Sequence, residues 1–174
     1  MHPTIQSLIE HYQFERLPLE GTLFKNTYRS AKQDSKGTPH ATAMIGLYCH
    51  EPESLSRFHR LTQDEVWHFY GGDPFELHLL HSDGFAERIV MGLDTSQGQK
   101  LQYVVPAGVW QAACLSEQGL YALFGCTLSP GFTAECFEAG LAERLIEAYP
   151  NQQTIIQKLG VSGEEANLPA DFEG

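Results

Sequence analysis

Basic residues are scarce in this chain: 11 Lys and Arg stand against 22 Asp and Glu, a formal net charge of −11. A surface of that sign repels phosphate backbones and anionic lipid, so nucleic acid and membrane surfaces are excluded as partners. Long apolar runs are missing too; none approaches the roughly 20 residues of a membrane-spanning helix. The opening MHPTIQSLIEHY lacks a basic stretch followed by an apolar one, so no secretion signal is expected. Cysteines are few, and Cys49, Cys114, Cys126 and Cys136 show no C-x-x-C spacing. They are expected to be buried, reduced thiols of a cytoplasmic protein rather than a disulfide framework, a metal knuckle or catalytic nucleophiles. A G-x-S-x-G elbow is lacking as well: Ser129 lies in GCTLSPGF, which reads as a turn and not as a hydrolase nucleophile.

What is present is a globular composition, 42% hydrophobic and 19% charged over 174 residues, enough for one domain with a real core. Ten Phe, seven Tyr and two Trp suit strands and pocket walls. Residues 4–12 carry Ile5, Leu8, Ile9 and Tyr12 at helical spacing, with Thr4 as the expected N-cap. Short apolar or alternating runs then follow at 21–30, 41–50, 55–61, 65–70, 75–81, 85–91, 102–105, 110–115 and 119–128. Turn residues such as Gly71-Gly72-Asp73-Pro74 and Ser82-Asp83-Gly84 separate them. About nine short strands at regular spacing predict a sandwich or jelly-roll barrel. Residues 137–149 place Leu141, Leu145, Ile146 and Tyr149 on one helical face, and a further helix is expected over 152–159. The reading is a single domain over 1–174: a barrel from about 19 to 132, a helical tail from about 134 to 160, and a mobile end over 161–174.

The chemistry concentrates in FHRLTQDEVWHFYGG, residues 58–72, which reads strand, turn, strand. Side chains alternate along a strand, so Arg57, His59 and Leu61 share one face, and Glu65, Trp67 and Phe69 share another. If both faces line a barrel interior, His59 and Glu65 converge there. An imidazole beside a carboxylate can ligate a transition metal or form an acid/base pair. A second block, VVPAGVWQ at 104–111, contributes a Pro-x-Gly turn and, by parity with Ala113, an inward Gln111. Arg57, Trp67, Phe69, Gln111 and Tyr121 are the candidate pocket residues. Tyr121 and Tyr103 are also the candidate second acid/base residues opposite His59.

These two blocks resemble the paired motifs of the cupin superfamily, whose first motif has two histidines one residue apart, then a glutamate and a glycine. Here His59, Leu61, Glu65 and Gly72 stand at those places, and Pro106, Gly108 and Gln111 stand where the second motif has proline, glycine and histidine. With GCTLSPGF, the set is similar to the fifth cupin family, once labelled a domain of unknown function, over most of the chain. The resemblance implies a mainly β, double-stranded β-helix (a cupin jelly-roll barrel) with a short N-terminal helix and C-terminal helices, and a homodimer. It implies kinship in shape with sugar-nucleotide epimerases and seed-storage barrels. In metal-bearing cupins four residues at these places hold the ion; here the corresponding set is His59, Glu65 and Gln111, because Leu61 cannot ligate. The cofactor stays open between one divalent metal ion and none. Function stays open between an isomerase or epimerase acting on a sugar-like or carbonyl metabolite, with His59 and Glu65 catalytic, and a non-catalytic barrel that binds a small metabolite.

Overall fold

In the computed structural model, which describes residues 1–169 and 172, the alternating runs become two antiparallel sheets packed face to face. Helix α1 (Pro3–Tyr12) leads into strands β1 (Glu15–Arg16), β2 (Leu23–Arg29), β3 (Thr42–Cys49), β4 (Ser56–Leu61) and β5 (Glu65–Gly72). Strands β6 (Phe75–Leu80), β7 (Ala86–Met91), β8 (Gln102–Val105), β9 (Trp110–Leu115), β10 (Tyr121–Leu128) and β11 (Phe137–Ala139) follow, then helices α2 (Ala142–Ala148) and α3 (Gln153–Leu159). One sheet runs β1-β2-β3-β10-β5-β8 and the other β11-β4-β9-β6-β7. This is the mainly β jelly roll, with a short N-terminal helix and C-terminal helices, that the sequence predicts.

The facing sides of the sheets supply a core of Tyr48, Trp67, Phe75, Leu77, Leu79, Met91 and Phe124, all essentially inaccessible to solvent. Each such side chain stabilises the fold by about 1.5–3 kcal/mol relative to exposure. Gly46 on β3 lets the Phe124 ring lie against the backbone; a Cβ there would clash with the ring. α1 covers one end of the outer face of the first sheet, burying Ile5 against Leu23, Leu47 and Cys49. Its N-cap is His2 rather than Thr4: the His2 imidazole accepts the Thr4 N–H. α2 and α3 cover the outer face of the second sheet, packing Leu145, Ile156 and Leu159 on Phe58 and Leu80.

The expected helix over 137–149 is shorter. Phe137–Ala139 pairs with β4, Gly140 passes within contact of Phe58, and the helix begins only at Ala142. Helical periodicity was present in the sequence, but an open strand edge took its first turn. In the segment after residue 160, Val161 and Leu168 are buried and Ala166 accepts the Ala139 N–H at 2.7 Å, while residues 162–165 are exposed. Positions 170, 171, 173 and 174 of the expected mobile end lie outside the described residues. All four cysteines are free and buried. Among the described residues no helix is long and apolar enough to cross a membrane.

Candidate functional site

The two sequence blocks meet at one end of the barrel. The turn between β4 and β5 is tied to the Pro106-Ala107-Gly108 turn: Asp64 accepts the Ala107 N–H at 2.8 Å, and the Leu61 carbonyl accepts the Gly108 N–H at 2.8 Å. Above them lies a cavity with about 50 Å³ open to water centres, room for a few waters or the reacting part of a small molecule. Phe24, Met44, Leu61, Trp67, Phe124, Leu128, Phe132 and Phe137 make most of its wall apolar; Glu20, His59 and Glu65 are its ionisable carboxyl and imidazole groups.

His59 is positioned by an irregularity in β4. Ser56 pairs with Ala113 and His59 with Gln111, so three steps on β4 oppose two on β9, and Arg57 is the extra residue. The bulge turns both Ser56 and His59 inward and leaves Arg57 half-buried beside Glu53, outside the wall. Arg57 still serves His59, because its carbonyl lies 2.8 Å from Nδ1. A carbonyl only accepts, so Nδ1 carries the proton and neutral His59 keeps its lone pair on Nε2. The ring stacks on Phe137, centroids 5.4 Å apart. Its side chain is 4% exposed, and among the described residues Nε2 has no hydrogen-bond partner.

Trp67 and Glu65 are joined through Gln111. The Trp67 indole N–H, which can only donate, reaches Gln111 Oε1 at 2.8 Å, and that orients the amide. Gln111 Nε2 then donates to Glu65 Oε2 at 2.7 Å. A proton on Glu65 therefore belongs on Oε1. Burial pushes the Glu65 carboxyl above its ordinary range; His59 pulls it partly back, Glu20 adds to the upward push, and hydrogen bonds from Gln111 and Cys126 lower it again. Burial likewise pushes the Cys126 thiol well up, so this wall residue is no thiolate nucleophile.

The third ionisable group, Glu20, was not among the sequence candidates. A tight turn between β1 and β2, closed by Gly21 N–H to the Leu17 carbonyl with Leu19 at φ 63°, tucks Glu20 inward. Its side chain is 7% exposed, with Oε2 3.9 Å from His59 Nδ1, an electrostatic contact rather than a hydrogen bond. The Thr22 hydroxyl donates to Oε1, Ser56 lies 2.8 Å from Thr22, and Tyr48 lies 2.5 Å from Ser56. The Leu55 carbonyl, 3.1 Å from the Thr22 hydroxyl, is a second obligate acceptor at this cluster. The sequence carried no local mark of this, since Glu20 sits in an ordinary Pro-Leu-Glu-Gly turn.

Of the expected pocket residues, Trp67 is in the wall and Arg57, Phe69, Gln111 and Tyr121 are not. Phe69 faces inward but packs deeper, against Phe75. Gln111 sits behind the wall, its amide consumed by Trp67 and Glu65. Tyr121 faces the other way, beside the α1 cluster, and Tyr103 bonds Glu87; neither reaches the cavity as a second acid.

The residues present do not fit a resident divalent metal. Leu61 offers no donor, the Gln111 oxygen that would ligate is occupied, and a buried leucine side chain fills the place of an imidazole. Among the described residues no three His, Cys, Asp or Glu side chains are arranged to hold an ion.

The sequence matches the family described as Cupin superfamily (DUF985) over residues 6–140. No curated protein matches it. A hypothetical protein from Leishmania major is 28% identical, with a TM-score of 0.81 over 90% of this chain and 98% of its own. A protein from Shewanella oneidensis is 29% identical, with a TM-score of 0.84 over 91% of this chain and 98% of its own. The L-ribose isomerase of Cellulomonas parahominis shares the fold alone, at 7% identity and a TM-score of 0.52 over 76% of this chain and 81% of its own. The matched profile, the two full-length structural relatives and the pairing of the two motif blocks agree: this chain belongs to the fifth cupin family, DUF985 of the cupin superfamily.

Proposed function

We propose that this protein is a metal-independent acid/base catalyst that isomerises or epimerises a small carbonyl or sugar-like metabolite in the barrel cavity. One observation carries the reading. His59 is locked by the Arg57 carbonyl with its Nε2 lone pair unpartnered, beside a Glu65 carboxyl whose burial favours the protonated form. A base with an open lone pair and an acid with a proton to give are the pair that proton transfer needs.

For an α-hydroxy carbonyl substrate the steps balance. Nε2 takes the proton from the hydroxyl-bearing carbon while Glu65 gives its proton to the carbonyl oxygen, forming an enediol. Glu65 then recovers a proton from the other hydroxyl, and His59 returns its proton to the former carbonyl carbon. The apolar wall excludes bulk water, and Gln111 holds Glu65 in place.

The test is solvent deuterium incorporation. Small aldoses, ketoses and hydroxy-carbonyl compounds are incubated with the protein in D2O and followed by NMR. Loss of the α-proton signal with wild type, and none above background with His59→Gln, is the expected result; equal exchange in both overturns the reading. A second reading, a non-catalytic metabolite-binding barrel, is favoured by the loss of ligands at Leu61 and Gln111. It predicts ligand binding lost in His59→Ala with no exchange at all.

We propose that two copies of the chain pair as a homodimer. The outer face of the first sheet beyond α1 exposes Tyr70 and Val104, which suits pairing of two copies across that face.

A further inference from the structure

The polar atoms that face the cavity differ in kind from those of a site for phosphates or carboxylates. His59 Nε2 and the Glu20 carboxylate are acceptors, and among the described residues the wall contains no lysine or arginine. Arg29 reaches the Phe132 carbonyl at 3.1 Å and is not part of the wall. A second observation is the His59 side chain itself, more than nine-tenths buried, with one ring nitrogen unpartnered and aimed into the cavity. An acceptor left open in an apolar enclosure calls for a donor from the ligand.

We infer that the ligand of this cavity is a small hydrogen-bond donor without negative charge, a neutral polyhydroxy compound such as an aldose or ketose, or its amino derivative, and that Glu20 is the residue that excludes phosphorylated and carboxylated forms. The inference rests on the reading that the cavity is a small-molecule site. Like charge held in a poorly solvated enclosure is strongly disfavoured, and Glu20 cannot swing away, because the Thr22 hydroxyl and the tight β1–β2 turn hold it. Hydroxyl or ammonium donors meet the opposite situation, since each satisfies an acceptor that the protein leaves open.

Calorimetric titration of the whole protein tests it, using two- to six-carbon skeletons offered in matched forms: neutral polyol or aldose, amino derivative, acid and phosphate. Neutral and aminated members are expected to bind wild type, with acids and phosphates of the same skeleton about tenfold weaker or worse. Glu20→Gln keeps the shape and still accepts from Thr22, and it is expected to narrow that gap. Asn26→Lys, at an exposed position on the rim, places a cation beside the wall and is expected to draw the anionic members in even if the Glu20 variant does not fold. An acid or phosphate that binds wild type as tightly as its neutral counterpart overturns the inference; if that binding is lost in His59→Ala, the small-molecule reading survives. Binding of no member in any form overturns both.

Discussion

At the scale of single residues, Glu65 makes the sharpest claim. Its carboxyl is held above the ordinary value of 4.5 by burial, so its stabilising contribution is fully present below that pH and is lost as pH rises through the raised folded value. Glu65→Gln cannot ionise and still accepts the Gln111 N–H. The melting temperature of Glu65→Gln minus that of wild type should therefore increase from about pH 5 to about pH 8. A flat or falling difference would show that Glu65 is not strained by its charge. His59, Glu65 and Trp67 were legible in the sequence because strand alternation and the motif frame both pointed inward. Glu20 was not, because a turn conformation brings it in and turns leave no periodic signal. Gln111 was legible as an inward amide but not as a strut, since its partners lie 44 and 46 residues away along the chain.

At the scale of elements, the site depends on two local departures from regularity. The bulge in β4 sends Ser56 and His59 to the same side, which simple alternation from Arg57 could not foresee. The bare backbone at Gly46 admits Phe124, whose ring is both core and cavity wall. Gly46→Ala is expected to cost about 1–3 kcal/mol by overpacking. Urea unfolding would record this as a lower midpoint at unchanged slope, and a variant as stable as wild type would remove Phe124 from that role. The nine strands β2–β10 were readable from turn residues and alternation. The two missed strands were not: β1 has only two residues, and β11 lay inside a stretch with helical spacing, where pairing with β4 outweighed a helical turn that Gly140 already weakens.

At the scale of the whole molecule, the jelly roll and the family follow from how the motif blocks combine, and the substrate does not, because a shared barrel hosts many chemistries. If two copies pair over Tyr70 and Val104, sedimentation should give a dimer for wild type and a monomer for Tyr70→Glu combined with Val104→Glu, with unchanged circular dichroism. A monomeric wild type would contradict that assembly. His59 and Glu65 are proposed to act as an acid/base pair in a barrel where Leu61 and Gln111 replace two metal-binding histidines. The most direct measurement is elemental analysis of untagged protein purified without chelator, reporting metal per chain. Trace metal only is expected, unchanged in His59→Ala and Glu65→Ala. Near one equivalent per chain, lost in both variants, would contradict it.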